Sequence, residues 1–138
     1  MSTQLKILLV EDDPDDVELF GYALEEYAVA CHLDVIMEGD GVLPFLKMQA
    51  ILPDVIVLDL NLPRVLGREV LSLLKAHVRF RTIPVMILTT SSTVEEREAC
   101  LALGAEQFLT KPSDQRQFGA VIGTIVGVVS EDENAEAA

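Results

Sequence analysis

The stretch VIVLDLNLPRVLGREVL, Val55 to Leu71, changes character twice. It opens as a nearly continuous apolar run, the pattern of a strand buried on both faces of a parallel sheet. The run stops at an acid, Asp59, and passes through Asn61 and Pro63, residue types that favour a turn. Helical spacing follows, with Val70, Leu71 and Leu74 on one face of a segment that the pattern assigns to residues 65–77. An apolar strand, an acidic strand end, a loop and an amphipathic helix make one βα unit.

The same unit recurs on both sides. Apolar, β-rich runs fall at Leu5–Val10, Leu33–Glu38, Asp54–Asp59, Pro84–Thr89 and Glu106–Thr110. Val17, Phe20, Leu24 and Tyr27 share one face of a helix that opens at Asp13, with Pro14 in its first position. Pro44 stands early in the second helix, where a first turn tolerates it. Ser92 with Glu95 reads as a capping box for the fourth helix, which ends at Leu103-Gly104. Ser113 is the expected cap of the last helix, whose core stripe is Phe118, Ile122, Ile125 and Val129. The order βαβαβαβαβα predicts an α/β, (βα)5 doubly wound, five-stranded parallel sheet with helices on both faces. Such sheets bind ligands beyond the carboxyl ends of their strands.

The 138 residues are half hydrophobic, enough for one core. One domain is expected over 1–129, followed by an acidic, disordered tail at 130–138 (SEDENAEAA). At this length a separate DNA-binding or catalytic output module is expected to be absent. A net charge of −13 argues against nucleic acid, whose phosphates would repel the surface. It suits basic partners or a bound cation. The N-terminus shows no secretory pattern, and the uncharged run Phe118–Val129 is too short for a bilayer, so a cytoplasmic protein is expected. Cys31 and Cys100 form no CxxC pair and read as isolated thiols in a reducing compartment. His32 and His77 lack a partner at metal-ligand spacing and read as surface or boundary residues.

Polar residues gather at the strand ends. The first strand runs into Glu11-Asp12-Asp13, the third into Asp59, the fourth into Thr89-Thr90 and the fifth into Thr110-Lys111-Pro112. Each alone has an ordinary explanation: Asp13 beside Pro14 is a helix cap, Thr89 a β-branched strand residue, Lys111 a solvated charge. Four successive strand ends that converge on one sheet edge are harder to explain separately. Crowded carboxylates repel unless a cation joins them, and an all-oxygen set suits Mg²⁺. A carboxylate held by such a metal can attack a phosphoryl group, with a hydroxyl and an ammonium taking up the oxygen charge.

Four blocks, ILLVEDDPDD, VIVLDLNLPRVLGREVL, IPVMILTTSS and GAEQFLTKP, resemble the signature blocks of CheY-like response-regulator receivers. The spacing resembles theirs too, with Thr89 thirty residues after Asp59 and Lys111 twenty-two after Thr89. The resemblance implies a flavodoxin/CheY-like three-layer sandwich that serves as the phosphoacceptor of a two-component phosphorelay. Asp59 would take the phosphoryl group from a sensor histidine kinase. Glu11, Asp12, Asp59 and the Asn61 backbone carbonyl would hold Mg²⁺. Thr89 would be the switch hydroxyl, Phe108 the switch aromatic and Lys111 the phosphate-binding amine. Lys111-Pro112 would be a cis peptide. DLNLPR, TTSS and LTKP are closest in style to single-domain regulators paired with phytochrome kinases, and a histidine phosphotransfer protein is a further expected partner. Leu66 departs from the family, which usually has Asp before the glycine, here Gly67.

The last helix also carries Gly119, Gly123 and Gly127 on an uncharged face opposite its core stripe. Glycine inside a helix costs about 1 kcal/mol relative to alanine, and close packing of a second helix is one reason to keep it. The expectation is a homodimer through this face. The competing reading is an enzyme, a phosphoaspartate-forming phosphatase of the haloacid dehalogenase type. That chemistry wants a second Asp two residues after the nucleophile, and Asn61 stands there. A nucleotide or flavin binder fails for want of a phosphate loop, since Gly39-Asp40-Gly41 lacks the third glycine of the fingerprint.

Overall fold

The computed structural model describes residues 4–27, 30–90, 93–112 and 114–137. The elements run β1 (Leu5–Val10), α1 (Pro14–Glu26), β2 (Cys31–Ile36), a 3-10 turn (Gly39–Gly41), α2 (Val42–Lys47), β3 (Val55–Leu58), α3 (Gly67–Ala76), β4 (Val85–Thr89), α4 (Val94–Leu103), β5 (Gln107–Thr110) and α5 (Gln115–Ala137). All strand pairs are parallel and the sheet order is β2-β1-β3-β4-β5. The chain steps outward from β1 to β2 and then crosses back to β3, so the strand order reverses between β1 and β3. That reversal is where a doubly wound sheet opens a crevice at its carboxyl edge.

Alternate residues of the central strands divide the core into two layers, as the two-residue strand period requires. Leu8, Val10, Ile56, Leu58, Val85 and Ile87 face α2, α3 and α4, where Leu46, Val70, Leu71, Leu74 and Cys100 meet them. Ile7, Leu9, Val55, Val57, Met86 and Leu88 face α1 and α5, against Phe20, Leu24, Phe118, Ile122 and Ile125. Because both faces are covered, β3 and β4 are buried at every position.

Several boundaries differ from the sequence reading. β2 begins two residues early, at Cys31, because it pairs with β1 along its whole length from Leu5↔Cys31 to Val10↔Ile36. As an edge strand it is only half buried, so its apolar pattern is weak. α3 starts at Gly67, after a loop in which Arg64 takes a positive φ of 70° and pairs with Glu38 at 3.0 Å. The cap of α4 is Thr93, whose hydroxyl accepts from Glu96 N at 3.1 Å. The N-cap is therefore Thr93, one residue later than Ser92, and Ser92 lies outside the described residues. Ser113 lies outside them as well, and Asp114 Oδ1 accepts from Gln117 N at 3.3 Å in the first turn of α5. Gly104 ends α4 with φ 111°, the left-handed cap expected there.

Two larger expectations are corrected. Helix α5 continues to Ala137, so the segment from Ser130 expected to be disordered is helical. Alanine and glutamate are good helix formers, and adding residues to an existing helix avoids the cost of nucleation. Lys111–Pro112, expected to be cis, is trans, as no peptide bond among the described residues is cis. Trans is the intrinsic preference at an X–Pro bond, by about 0.5–1 kcal/mol.

Both cysteines are free, and burial pushes both thiols above the usual range, away from nucleophilic chemistry. His32 pairs with Asp34 at 3.2 Å, and the His77 ring stacks on Phe80 with centroids 4.1 Å apart. No helix among the described residues is long and apolar enough to cross a membrane.

Adjacent leucines in α3 test this layering. Leu74 is fully buried and Leu73 is half exposed. Leu74→Ala should lower unfolding stability by about 2–5 kcal/mol, whereas Leu73→Ala should cost about 0.5 kcal/mol or less. Urea unfolding followed by far-ultraviolet circular dichroism reads both.

Candidate functional site

The parallel ladder does not stop with the strands. Glu11 N donates to Ile36 O at 3.0 Å, Asp59 N to Val10 O at 3.0 Å, and Lys111 N to Thr89 O at 2.8 Å. Each chemically distinctive residue is thus the first one past its strand and is still fixed by a sheet hydrogen bond. Backbone held in this way positions a side chain more accurately than a free loop does.

Their side chains converge. Lys111 Nζ lies 2.6 Å from Glu11 Oε1, 2.7 Å from Asp16 Oδ2 and 2.9 Å from Asp59 Oδ2. Asp59 and Glu11 are 4% and 3% exposed, so their ion pairs with Lys111 are shielded from water, whereas the Asp16 side chain is 25% exposed. Burial opposes the ammonium charge of Lys111, but its hydrogen bonds to Asp16, Glu11 and Asp59 outweigh that and hold its pKa above the usual lysine value. Glu11 is pushed up to about 7, chiefly by burial and further by the nearby Asp59 charge, against the lowering effect of the Lys111 bond.

Glu11, Asp12 and Asp59 each offer a carboxylate oxygen, and the three oxygens lie within 4.8 Å of one another. Three hard oxygen donors at that separation fit a divalent cation. Asn61 follows on the same loop, its backbone N–H donating to Asp59 Oδ1 at 3.2 Å. Asp13 does not join the trio. It caps α1, accepting from Asp15 N at 2.9 Å, and its own N–H donates to Glu11 Oε2 at 3.2 Å. Thr89 is the wholly buried last residue of β4 and pairs with Thr110. Phe108 pairs with Ile87 and packs into the core on the α4 side.

Two contributors were not legible as site residues. Asp16 is a first-turn acid of α1, a common helix-dipole feature with nothing in the sequence to set it apart, and it is the third partner of Lys111. Gly67 sits so close to the Asp59 carbonyl oxygen and the Leu60 Cα that any Cβ there would collide with backbone. Its N–H also donates to Leu60 O at 3.0 Å, which folds α3 back onto the acidic loop. The glycine face of α5 is corrected in part. A Cβ on Gly123 would come within 2.9 Å of the Tyr27 hydroxyl, so this position faces the end of α1 within the monomer. Gly119 and Gly127 have open space beside them.

An acidic trio and a lysine just past the carboxyl ends of a five-stranded parallel sheet, with a threonine at the end of the fourth strand, have the form of a two-component receiver. The chain belongs to the response regulator receiver domain family, which residues 7–122 match. It is 36% identical over 110 residues to the response regulator Rcp1 of Synechocystis sp., with 76% of this chain and 75% of that protein covered. A probable methanogenesis regulatory protein, FilR2 of Methanothrix harundinacea, is 34% identical over 110 residues, covering 77% and 71%. Among solved structures, the phosphorylated cyanobacterial phytochrome response regulator RcpA superposes with a TM-score of 0.82 at 31% identity, over 89% of this chain and 91% of that one. The Mn²⁺-bound form of Rcp1 gives 0.78 at 33% identity, over 87% and 90%. The phosphatase reading finds no support in these matches, and Asn61 stands where its second acid would be needed.

The counter-ion role of Lys111 can be measured directly. Lys111→Met leaves the carboxylates without their internal cation and should destabilise the metal-free protein by on the order of 3 kcal/mol. Added Mg²⁺ should then raise the melting temperature of the variant more than that of the wild type. Thermal unfolding in chelator and in excess Mg²⁺ checks both.

Proposed function

We propose that Asp59 is the phosphoacceptor and that Glu11, Asp12, Asp59 and the Asn61 carbonyl hold Mg²⁺ during transfer. The observation that carries this reading is the bond between Lys111 and a buried Asp59 beside two further acids. The cation would draw the acids together and neutralise charge on the incoming phosphoryl oxygens. Asp59 would supply the nucleophilic oxygen, and Lys111 would neutralise the phosphoryl group once it is in place. The Thr89 hydroxyl would close on a phosphoryl oxygen and couple the site to Phe108, biasing a surface that partners read. The protein acts as a self-phosphorylating and self-dephosphorylating switch rather than a turnover enzyme.

Likeness to a phytochrome response regulator supports a sensor histidine kinase of the phytochrome class as phosphodonor. A histidine phosphotransfer protein is a second candidate partner, and the reading places the protein in the cytoplasm. A homodimer through the last helix would use Gly119 and Gly127, where the helix face is open. Light scattering should then give a dimer mass for the wild type and a monomer mass for Gly127→Glu.

Incubation with Mg²⁺ and acetyl phosphate should add one acid-labile phosphoryl group. Asp59→Asn and excess chelator should each abolish it, whereas Thr89→Ala should still accept label. Equal labelling of Asp59→Asn would place the phosphoacceptor elsewhere. Phosphate-affinity electrophoresis reads all four samples.

A further inference from the structure

Two of the three carboxylates that hold Lys111 also belong to the acidic trio: Glu11 at 2.6 Å and Asp59 at 2.9 Å. The third, Asp16 at 2.7 Å, lies outside that trio. It reaches the site from the first turn of α1, across 95 residues of sequence, and its side chain is 25% exposed.

A divalent cation and an ammonium compete for the same oxygens. Either one can neutralise the buried acids, and each repels the other. A cation taken up by Glu11, Asp12 and Asp59 therefore withdraws two partners from Lys111 and pushes its charge away. The Lys111 side chain is only 8% exposed, so an ammonium left there without a carboxylate would be costly. Asp16 is the partner outside the trio, and it is the most exposed of the three acids that hold Lys111.

We infer that Asp16 is a positioning residue for Lys111, retaining the ammonium beside the site when a divalent cation occupies Glu11, Asp12 and Asp59. In doing so it lowers the resistance that Lys111 offers to the cation, and it keeps the amine within reach of an incoming phosphoryl group. The inference rests on the metal-assisted phosphoacceptor reading above. A plain first-turn acid would behave differently. It would favour α1, or attract cations through space, whatever residue stood at position 111.

A double-mutant cycle on Mg²⁺ affinity separates these roles. Titration calorimetry on the unphosphorylated full chain would compare wild type, Asp16→Asn, Lys111→Met and the double variant. Asp16→Asn should weaken Mg²⁺ about tenfold when Lys111 is present and about twofold or less in the Lys111→Met background, the non-additivity expected of two groups in direct contact. Asp16→Glu, which keeps the charge, should recover most of the wild-type affinity. An equal loss in both backgrounds would overturn the inference, as would no loss when Lys111 is present or no recovery with Asp16→Glu. Acetyl phosphate labelling of the wild type runs alongside. A wild type that takes no label on Asp59 would remove the phosphoacceptor reading, while the calorimetric cycle would still decide the role of Asp16.

Discussion

Lys111 Nζ stands within 2.9 Å of Glu11, Asp16 and Asp59, and without it those acids would face one another at an edge largely closed to water. The ammonium makes the cluster compatible with folding, because a buried carboxylate left unpaired costs more than a surface ion pair returns. Burial still holds the pKa of Glu11 up, at about 7, against the lowering effect of the Lys111 bond. Asp12 adds a further acid at that edge, and a small divalent cation would find three carboxylate oxygens already gathered there.

The position of the lysine depends in turn on the sheet. Glu11, Asp59 and Lys111 come from β1, β3 and β5, and each backbone N–H is tied to the neighbouring strand. Burial of β3 and β4 on both faces fixes the strands, so the ladder cannot slip without moving a whole apolar layer. Gly67 supplies the remaining constraint, letting α3 begin against the Asp59 carbonyl and holding the loop through Asn61 close to the edge. Core packing, strand register and one close backbone approach together place the three charged groups.

The fold and the acidic edge were legible because they rest on short-range patterns. Apolar runs mark central strands, and acids or lysine directly after those runs must emerge at the same edge of a parallel sheet. What was missed depends on three-dimensional proximity. Asp16 carries no local sign that separates a Lys111 partner from a helix-dipole acid, since the contact spans 95 residues. Gly123 looked solvent-facing by helix periodicity, but periodicity does not say where Tyr27 will lie. The cap of α4 slipped by one residue because Ser92 and Thr93 both stand three before a glutamate, and only the hydrogen bond from Glu96 chooses between them. The irregular tail was inferred from acidity alone, which neglects how readily alanine and glutamate extend an existing helix.

The charge balance explains why an edge of this kind can act as a switch. With every acid ionised, Glu11, Asp12, Asp16 and Asp59 outweigh the single ammonium of Lys111. Phosphorylation of Asp59 would replace one carboxylate charge by a phosphoryl group carrying about −1.5 to −2. That increase would be opposed in a metal-free site and tolerated with a divalent cation bound, so cation occupancy would set the conditions for transfer. Lys111 would then be shared among the remaining acids and the new phosphoryl oxygens, and its placement would respond to both events. A lone ion pair would register either the cation or the phosphoryl group. An ammonium divided between trio members and Asp16 would register both, because each would change which oxygens remain available to it.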